Sequence, residues 1–306
     1  MNKPLVSVVI PTYNRPELLT RAVESALTQT YEKIEIVVVD DGSDIPARKT
    51  LSQYNTSVRI ITHNENRGGS VARNTGIRCS RGKYIAFLDD DDVWESNKIS
   101  KQVSKFESCD SEVGLVYCWI RRTDTDGQTI LVKNSKNNGK VTTDILLQNF
   151  VGSYSSVMVK RQVIDEAGLP DVQFERWQDR EWYLRLSHIC EFEYVPEILV
   201  TQEKQGGNNY QKLKRSKEVF IDKYQQEIEN SGRLLERKVK SNLCYEVGSA
   251  GVRKGELREA RRYLLKSICY NPFNYMSVMF FILSFGDERM IRLIRQLRRS
   301  AVDLRN

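Results

Sequence analysis

Cysteine is sparse and never paired: Cys79, Cys109, Cys118, Cys190, Cys244 and Cys269 stand alone, without CxxC spacing. That excludes a cysteine zinc cluster and a thioredoxin-type redox pair, and fits scattered thiols in a reducing cytoplasm. No apolar run reaches the roughly 20 residues that a membrane-spanning helix needs. The nearest, Phe273 to Phe285, is interrupted by Asn274, Ser277 and Ser284. A strand pattern starts directly after Met1, Asn2 and Lys3, so no cleaved export signal is expected. No GxGxxG follows the first strand and no GxxxxGK with Ser or Thr occurs, which removes the dinucleotide and phosphate-loop readings. The GxGT opening of a nucleotidyltransferase is absent too. Zinc-finger, basic-zipper and aromatic RNA-binding signatures are missing, so no nucleic-acid partner is expected.

What remains is an ordinary globular composition: 306 residues, 40% hydrophobic and 28% charged, enough for one large α/β domain and an appendage. The net charge of +7 favours anionic partners, among them nucleotides and phospholipid head groups. Leu5 to Ile10 and Ile34 to Val39 are unbroken β-branched runs, the pattern of strands buried on both faces. Glu17 to Thr28 between them has helical spacing. The alternation continues with a helix at Ala47 to Tyr54, a strand at Val58 to Thr62, a helix at Ser70 to Cys79 and a strand at Tyr84 to Leu88. Such alternation predicts a doubly wound sheet, with ligands in the crevice beyond the carboxyl ends of its strands. Strands are also expected at Leu115 to Arg121, Thr129 to Val132 and Ser155 to Lys160, with a turn at Asp124 to Gly127.

Four polar strand exits carry the chemistry: ThrTyrAsn, AspAspGlySer, HisAsnGluAsnArgGly and the aspartate run. Phe87 and Leu88 lead into Asp89, Asp90, Asp91 and Asp92, four adjacent carboxylates whose repulsion a shared Mg²⁺ or Mn²⁺ would relieve. The alternative is a solvated acidic turn or a helix cap. Val37 to Val39 deliver Asp40 and Asp41 into Gly42 and Ser43, where a carboxylate can read a base or ribose; a plain strand-to-helix turn uses the same residues. Asn66 to Asn74 form a glycine-bearing loop opening a helix with Arg67 and Arg73, a combination suited to a diphosphate.

Together these motifs resemble the family 2 glycosyltransferases, over about Leu5 to Leu199. The matching stretches are ValSerValValIleProThrTyrAsnArg, ValValValAspAspGlySer and PheLeuAspAspAspAspValTrp. The resemblance implies an α/β fold, a Rossmann-like doubly wound mixed sheet of the glycosyltransferase A type. It implies that Pro11, Thr12, Tyr13 and Asp41 line the nucleotide base, that Asn66 and Arg73 hold ribose and diphosphate, and that Asp89 and Asp90 also bind the nucleotide-sugar. Asp89 and Asp91 form the DxD pair, with Asp91 the metal ligand for Mn²⁺ or Mg²⁺. The family's general base aligns with Asp179 in ArgTrpGlnAspArgGluTrpTyr, where Gln178 replaces the usual glutamate. A capping role at the start of the helix is compatible with that assignment. Where relatives place an ArgxHis pair, this chain has LeuValThrGlnGluLysGlnGlyGly, so a third metal ligand falls to water, donor phosphate or Gln205. Trp177 and Trp182 flank Asp179 and are candidates for stacking on a sugar, against the alternative of buried structural aromatics.

The expected organisation is a glycosyltransferase domain at 1–203, with a nucleotide-sugar half at 1–113 and an acceptor half at 114–203, followed by a helical region at 204–306. GlyGlyAsnAsn at 206–209 marks the junction. Cys244 to Pro272 resembles one tetratricopeptide helix pair. The Phe273 to Phe285 run, followed by Arg289, Arg292, Arg295, Arg298 and Arg299, suits an anionic membrane, or else a helix packed on its neighbours with solvated arginines. The expected activity is inverting transfer from a nucleotide-sugar, by family habit a UDP-sugar, to the hydroxyl of a saccharide or lipid-linked saccharide in cell-surface polysaccharide or glycoconjugate assembly. The expected place is the cytoplasm, peripheral at the inner face of the cell membrane. The alternative is a catalytically silent nucleotide-sugar-binding scaffold.

Overall fold

The computed structural model describes residues 3–54, 56–124, 126–203 and 210–286. Two compact units divide the chain. One comprises Met1–Ile145, Asn149–Val172 and Gln178–Gln205; the other comprises Leu146–Gln148, Gln173–Trp177 and Gly206–Asn306.

In the first unit β1 (Val6–Thr12), β2 (Ile34–Asp40), β3 (Val58–Thr62) and β4 (Tyr84–Phe87) run parallel in the order β3-β2-β1-β4. β1 and β4 are buried along their whole length, as their unbroken apolar runs require. α1 (Pro16–Leu27) opens on Pro16, whose missing N–H costs nothing in the first turn, and turns Leu19, Ala22, Val23 and Ala26 inward. The Ala47 to Tyr54 segment is not one helix: α2 (Ala47–Thr50) stops and a 3₁₀ turn takes over at Ser52–Tyr54. α3 (Gly69–Cys79) leads into β4.

Beyond β4 the sheet becomes mixed. β8 (Val157–Lys160) lies antiparallel to β4 and to β6 (Val113–Thr123), which pairs parallel with β9 (Glu191–Glu203). β9 in turn pairs antiparallel with β5 (Asp92–Trp94), and β7 (Thr129–Lys133) flanks β6. β9 is absent from the sequence-based strands because Pro196 and several charges interrupt its run. The sheet absorbs Pro196 in an irregularity: Cys118 pairs with Val195, and the next residue, Trp119, pairs with Ile198. Helices α4 (Lys98–Ser108), α5 (Thr142–Leu147), α6 (Arg161–Ala167) and α7 (Gln178–Ser187) complete the region.

The second unit is built on α8 (Tyr210–Asn230), α9 (Arg233–Lys254), α10 (Leu257–Tyr270) and α11 (Tyr275–Leu283). α9 ends at Gly255, in the left-handed conformation, and α10 turns back against it with Ala260 and Leu264 packed on Val252. No helix among the described residues is long and apolar enough to cross a membrane.

Candidate functional site

The parallel strands end in side chains that tie the loops to one another. Thr12, the last residue of β1, donates its hydroxyl to Asp90 Oδ2 at 2.8 Å. Three residues on, Arg15 donates one nitrogen to both Asp90 Oδ1 at 2.9 Å and Asp91 Oδ2 at 3.0 Å. Pro11 is buried in β1, whereas Tyr13 is 42% exposed at the rim.

At the β2 exit the two aspartates divide their work. Asp40 accepts from the backbone of Ser43 and Ala47, which holds the turn into α2. Asp41 accepts from His63 Nδ1 at 2.7 Å, from Arg67 N at 3.1 Å and from Gly68 N at 2.7 Å. It therefore ties the β3 exit and the glycine loop to β2. Gly42 lies between them with φ +81°, and a Cβ there would stand 2.6 Å from the Glu65 carbonyl carbon. A cavity of about 410 Å³ opens beside this loop, lined by Thr62, His63, Asn64, Glu65 and Arg67. Asn66 is exposed on the same loop.

The four aspartates after β4 do not behave alike. Asp89 N donates to Ser155 Oγ at 3.0 Å and Asp92 N to the Asp89 carbonyl at 3.0 Å, closing a turn. In that turn Asp89, Asp91 and Asp92 each bring a carboxylate oxygen within 4.8 Å of the others, while Asp90 points to Thr12 and Arg15. The sequence offers Asp92 only as one of four adjacent carboxylates, and the resemblance singles out the alternate pair Asp89 and Asp91 instead. It begins β5, paired opposite Gln202 of β9, whose amide donates to Asp92 Oδ2 at 2.8 Å. Gln205, offered as a further ligand, lies outside the described residues.

The cluster is electrostatically loaded. Burial, reinforced by the Asp89 charge, pushes Asp92 well above the usual carboxylate range. Burial raises Asp91 and Asp90 as well, against the opposing charge of Arg15. Arg73 on α3 forms an ion pair with Asp89 and stacks over the Tyr154 ring at 4.3 Å; despite its burial, the Asp89 charge holds it firmly protonated. Oxygen-only donors at this spacing suit a hard divalent cation such as Mn²⁺ or Mg²⁺, which would offset the repulsion among them.

Asp179 is the second residue of α7, inside its first turn rather than capping it, where the helix dipole favours negative charge. Its Oδ1 accepts from Arg180 N and its Oδ2 from Asn149 Nδ2, each at 2.8 Å. Arg73, Tyr154 and Tyr183 all feel its charge. The two flanking tryptophans differ in burial: Trp182 is a core residue, Trp177 is half-buried. Trp182 is fully buried, donates to the Gly168 carbonyl at 2.9 Å and stands edge-on to Phe87. Trp177 packs edge-on to Phe220 in the helical unit, with ring centroids 5.9 Å apart. Their sequence signal, aromatics beside a polar residue, is the same for a core and for a sugar platform.

A mixed sheet whose strand exits gather a carboxylate cluster, a glycine loop and two arginines has the architecture of the glycosyltransferase A fold. The chain belongs to glycosyl transferase family 2, whose model matches residues 7–168. An uncharacterized glycosyltransferase of Rickettsia prowazekii (strain Madrid E) is 30% identical over 201 residues, 64% of this chain and 63% of its own. The chain thus spans under two thirds of that relative's length. The UDP-Glc:alpha-D-GlcNAc-diphosphoundecaprenol beta-1,3-glucosyltransferase WfgD of Escherichia coli is 28% identical over 238 residues, covering 72% of this chain and 87% of that one. Among solved structures, S. aureus TarS 1-349 in complex with UDP-GlcNAc superposes with a TM-score of 0.56 at 14% identity, over 87% of this chain and 89% of that one. That likeness carries the fold.

Proposed function

We propose that the protein is an inverting, metal-dependent glycosyltransferase that moves a sugar from a UDP-sugar to the hydroxyl of a saccharide or lipid-linked saccharide. The observation that carries this reading is the gathering of Asp89, Asp91 and Asp92 within 4.8 Å at the exit of β4, beside Arg15 and Arg73. Support for the donor comes from the UDP-GlcNAc complex of TarS, and for a lipid-linked acceptor from the name of the E. coli relative.

In this reading Pro11, Thr12, Tyr13 and Asp41 border the base, with Asn66 and Arg73 at ribose and diphosphate. Asp41 acts by fixing the loop backbone that the base meets. Asp91, with Asp89 and Asp92, would hold Mn²⁺ or Mg²⁺, which supplies charge neutralisation for the departing diphosphate. Asp179 accepts the proton of the acceptor hydroxyl as its oxygen bonds to the anomeric carbon. The bond from that carbon to the diphosphate oxygen breaks in the same displacement, and the diphosphate leaves with the electron pair. One face is attacked and the other vacated, so the configuration inverts.

The helical unit supplies a reading of location. Phe273, Tyr275, Ile282 and Phe285 are all exposed around α11. From Leu257 to Asn306 the sequence has ten basic and four acidic residues, so this stretch carries most of the chain's net +7. Apolar side chains beside an excess of arginine suit the anionic inner face of the cell membrane, with the enzyme cytoplasmic and peripheral. Arg289, Arg292, Arg295, Arg298 and Arg299 lie outside the described residues.

The test is release of nucleotide from UDP-, GDP- and dTDP-sugars with Mn²⁺ or Mg²⁺, comparing the wild type with Asp91→Ala and Asp179→Asn. Metal-dependent release of one nucleotide, lost in both variants, is expected. Tight nucleotide binding without turnover would instead identify a silent binding protein, and neither binding nor turnover would overturn the reading.

A further inference from the structure

Asn149 stands in the loop after α5, 30 residues before Asp179 in sequence, and no local pattern connects the two. Its side chain is held by a reciprocal pair: Gly152 N donates to Asn149 Oδ1 at 3.0 Å, and Asn149 Nδ2 donates to the Gly152 carbonyl at 3.0 Å. Lys133 Nζ donates to the Asn149 backbone carbonyl at 2.6 Å, which anchors the loop to β7. The far side of the turn is equally constrained. Gly152 has φ +116°, and a Cβ there would meet Ile120 Cδ1 at 2.4 Å, so the chain lies directly against β6.

This pairing decides which way the amide faces. The Gly152 N–H needs an acceptor, and Oδ1 is the atom of the side chain that can supply it. Nδ2 is thereby turned outward with a second hydrogen to give, and that hydrogen goes to Asp179 Oδ2 at 2.8 Å. The other carboxylate oxygen is tied to the helix backbone at Arg180 N. The final torsion of an aspartate is broad and soft, so a single tether would let the carboxylate rotate. Tethers on both oxygens fix its plane. An asparagine that served only to close a turn would be satisfied by Gly152; the bond to Asp179 is additional.

We propose that Asn149 is the positioning residue for Asp179, holding the carboxylate in the orientation from which it takes the acceptor proton. This rests on the reading of Asp179 as the base. Arg73, Tyr154 and Tyr183 also face Asp179 electrostatically, and all three are left in place by substitution at Asn149.

The experiment compares Asn149→Ala, Asn149→Asp and Asp179→Asn in turnover of UDP-glucose and UDP-N-acetylglucosamine with Mn²⁺ and water as acceptor, alongside UDP binding by calorimetry. Asn149→Ala should lower kcat by about 10- to 100-fold, the cost of a misplaced reacting group, with donor KM and UDP affinity unchanged. Asn149→Asp keeps the acceptor for Gly152 N but sets a carboxylate against Asp179, so its kcat should fall further at the same UDP affinity. A kcat within about twofold of wild type in both variants overturns the inference. So does a UDP affinity that falls in step with kcat, which marks a purely structural role. Turnover retained in Asp179→Asn overturns the base assignment itself, whereas an inactive Asp179→Asn beside unaffected Asn149 variants overturns only the positioning role.

Discussion

Arg15 places one guanidinium nitrogen 3.0 Å from Asp91 Oδ2 and 2.9 Å from Asp90 Oδ1, so the carboxylate assigned to the metal already has a cationic partner. Arg73 holds Asp89 in the same way from α3. Two side chains of the protein thus neutralise the cluster on which a divalent cation and a diphosphate would converge. An arginine displaced from a carboxylate is left with its donors facing the crevice, where the diphosphate is the next anion available.

This arrangement predicts a competition. Arg15→Gln removes the cation that shares Asp91, so Mn²⁺ affinity in the absence of nucleotide should rise by several-fold, about 1 kcal/mol. UDP affinity should fall in the same variant. Titration of free Mn²⁺ by electron paramagnetic resonance, with and without UDP, reads both; weaker Mn²⁺ binding in the variant would show that Arg15 supports the metal.

Asp92 supplies a second prediction. Its folded-state pKa is raised by burial and by Asp89, so the folded metal-free protein binds that proton more readily than the unfolded chain. The strain it imposes is therefore present at neutral pH and is relieved as pH falls through the raised value. Asp92→Asn should raise the Tm of the metal-free protein at pH 7 and shrink the increment that Mn²⁺ adds to wild type. An unchanged Mn²⁺ increment would exclude Asp92 from the ligand set. Thermal melts at pH 5 and pH 7 check the sign, with the difference between variant and wild type smaller at the lower pH.

Asp92 also shows where sequence reasoning reaches its limit. β1, β2 and β4 are legible because unbroken apolar runs buried on both faces have few alternatives, and their polar ends fix the rim. The roles of four adjacent aspartates are not legible, because a turn decides which side chains converge. Here that turn depends on Ser155 and on β5 meeting Gln202, 110 residues away. Asn149 is hidden for the same reason: its partner is chosen by how a loop packs on β6 and β7. Trp177 and Trp182 are both legible as aromatics beside Asp179, but only packing shows that Trp182 belongs to the core.

Gly42 tests the loop architecture. Any Cβ would require both the φ of +81° and an approach of 2.6 Å to the Glu65 backbone, which has no flexible end to move aside. Gly42→Ala should cost about 2 kcal/mol or more in stability and weaken UDP binding, since Asp41 could no longer hold the amides of Arg67 and Gly68. Denaturant unfolding and UDP calorimetry measure the two effects; wild-type values in both would mean that the loop is not needed for the nucleotide.

Lys98 gives a prediction away from the site. It is fully buried, with its ammonium 3.9 Å from the centre of the Trp94 ring and donating to Gln102 Oε1 at 2.7 Å. Burial lowers its pKa from the ordinary 10.5 to about 8. Below pH 8 the lysine is charged in both folded and unfolded states and the penalty is constant; between pH 8 and 10.5 the folded lysine is neutral while the unfolded one keeps its proton, and the penalty fades as that proton becomes easier to remove. Lys98→Met should therefore stabilise the protein at pH 7, by at most about 3 kcal/mol less roughly 1 kcal/mol for the unpaired Gln102 oxygen. The advantage over wild type should shrink toward pH 10.5. A difference independent of pH would mean that Lys98 is solvated in solution.

The exposed face around α11 yields the last prediction. Phe273 is 90% exposed; Phe285 is 62% exposed and meets the Phe281 ring and the Arg261 guanidinium at the edge of its unit, so replacing both with Ser should cost some stability but leave the fold intact. Each phenylalanine entering the lipid boundary buries apolar area worth about 1.5 to 3 kcal/mol at full transfer. The double variant should therefore lose at least tenfold in affinity for vesicles rich in phosphatidylglycerol. Wild-type binding should weaken steeply with salt and be slight on phosphatidylcholine, because the arginines contribute only where the surface is anionic. Turnover of a soluble donor with water as acceptor should be the same in both proteins. If wild type fails to sediment with anionic vesicles, the membrane reading falls. If deletion of residues 287–306 increases vesicle binding, the phenylalanines are the seat of the chain's own C-terminal segment.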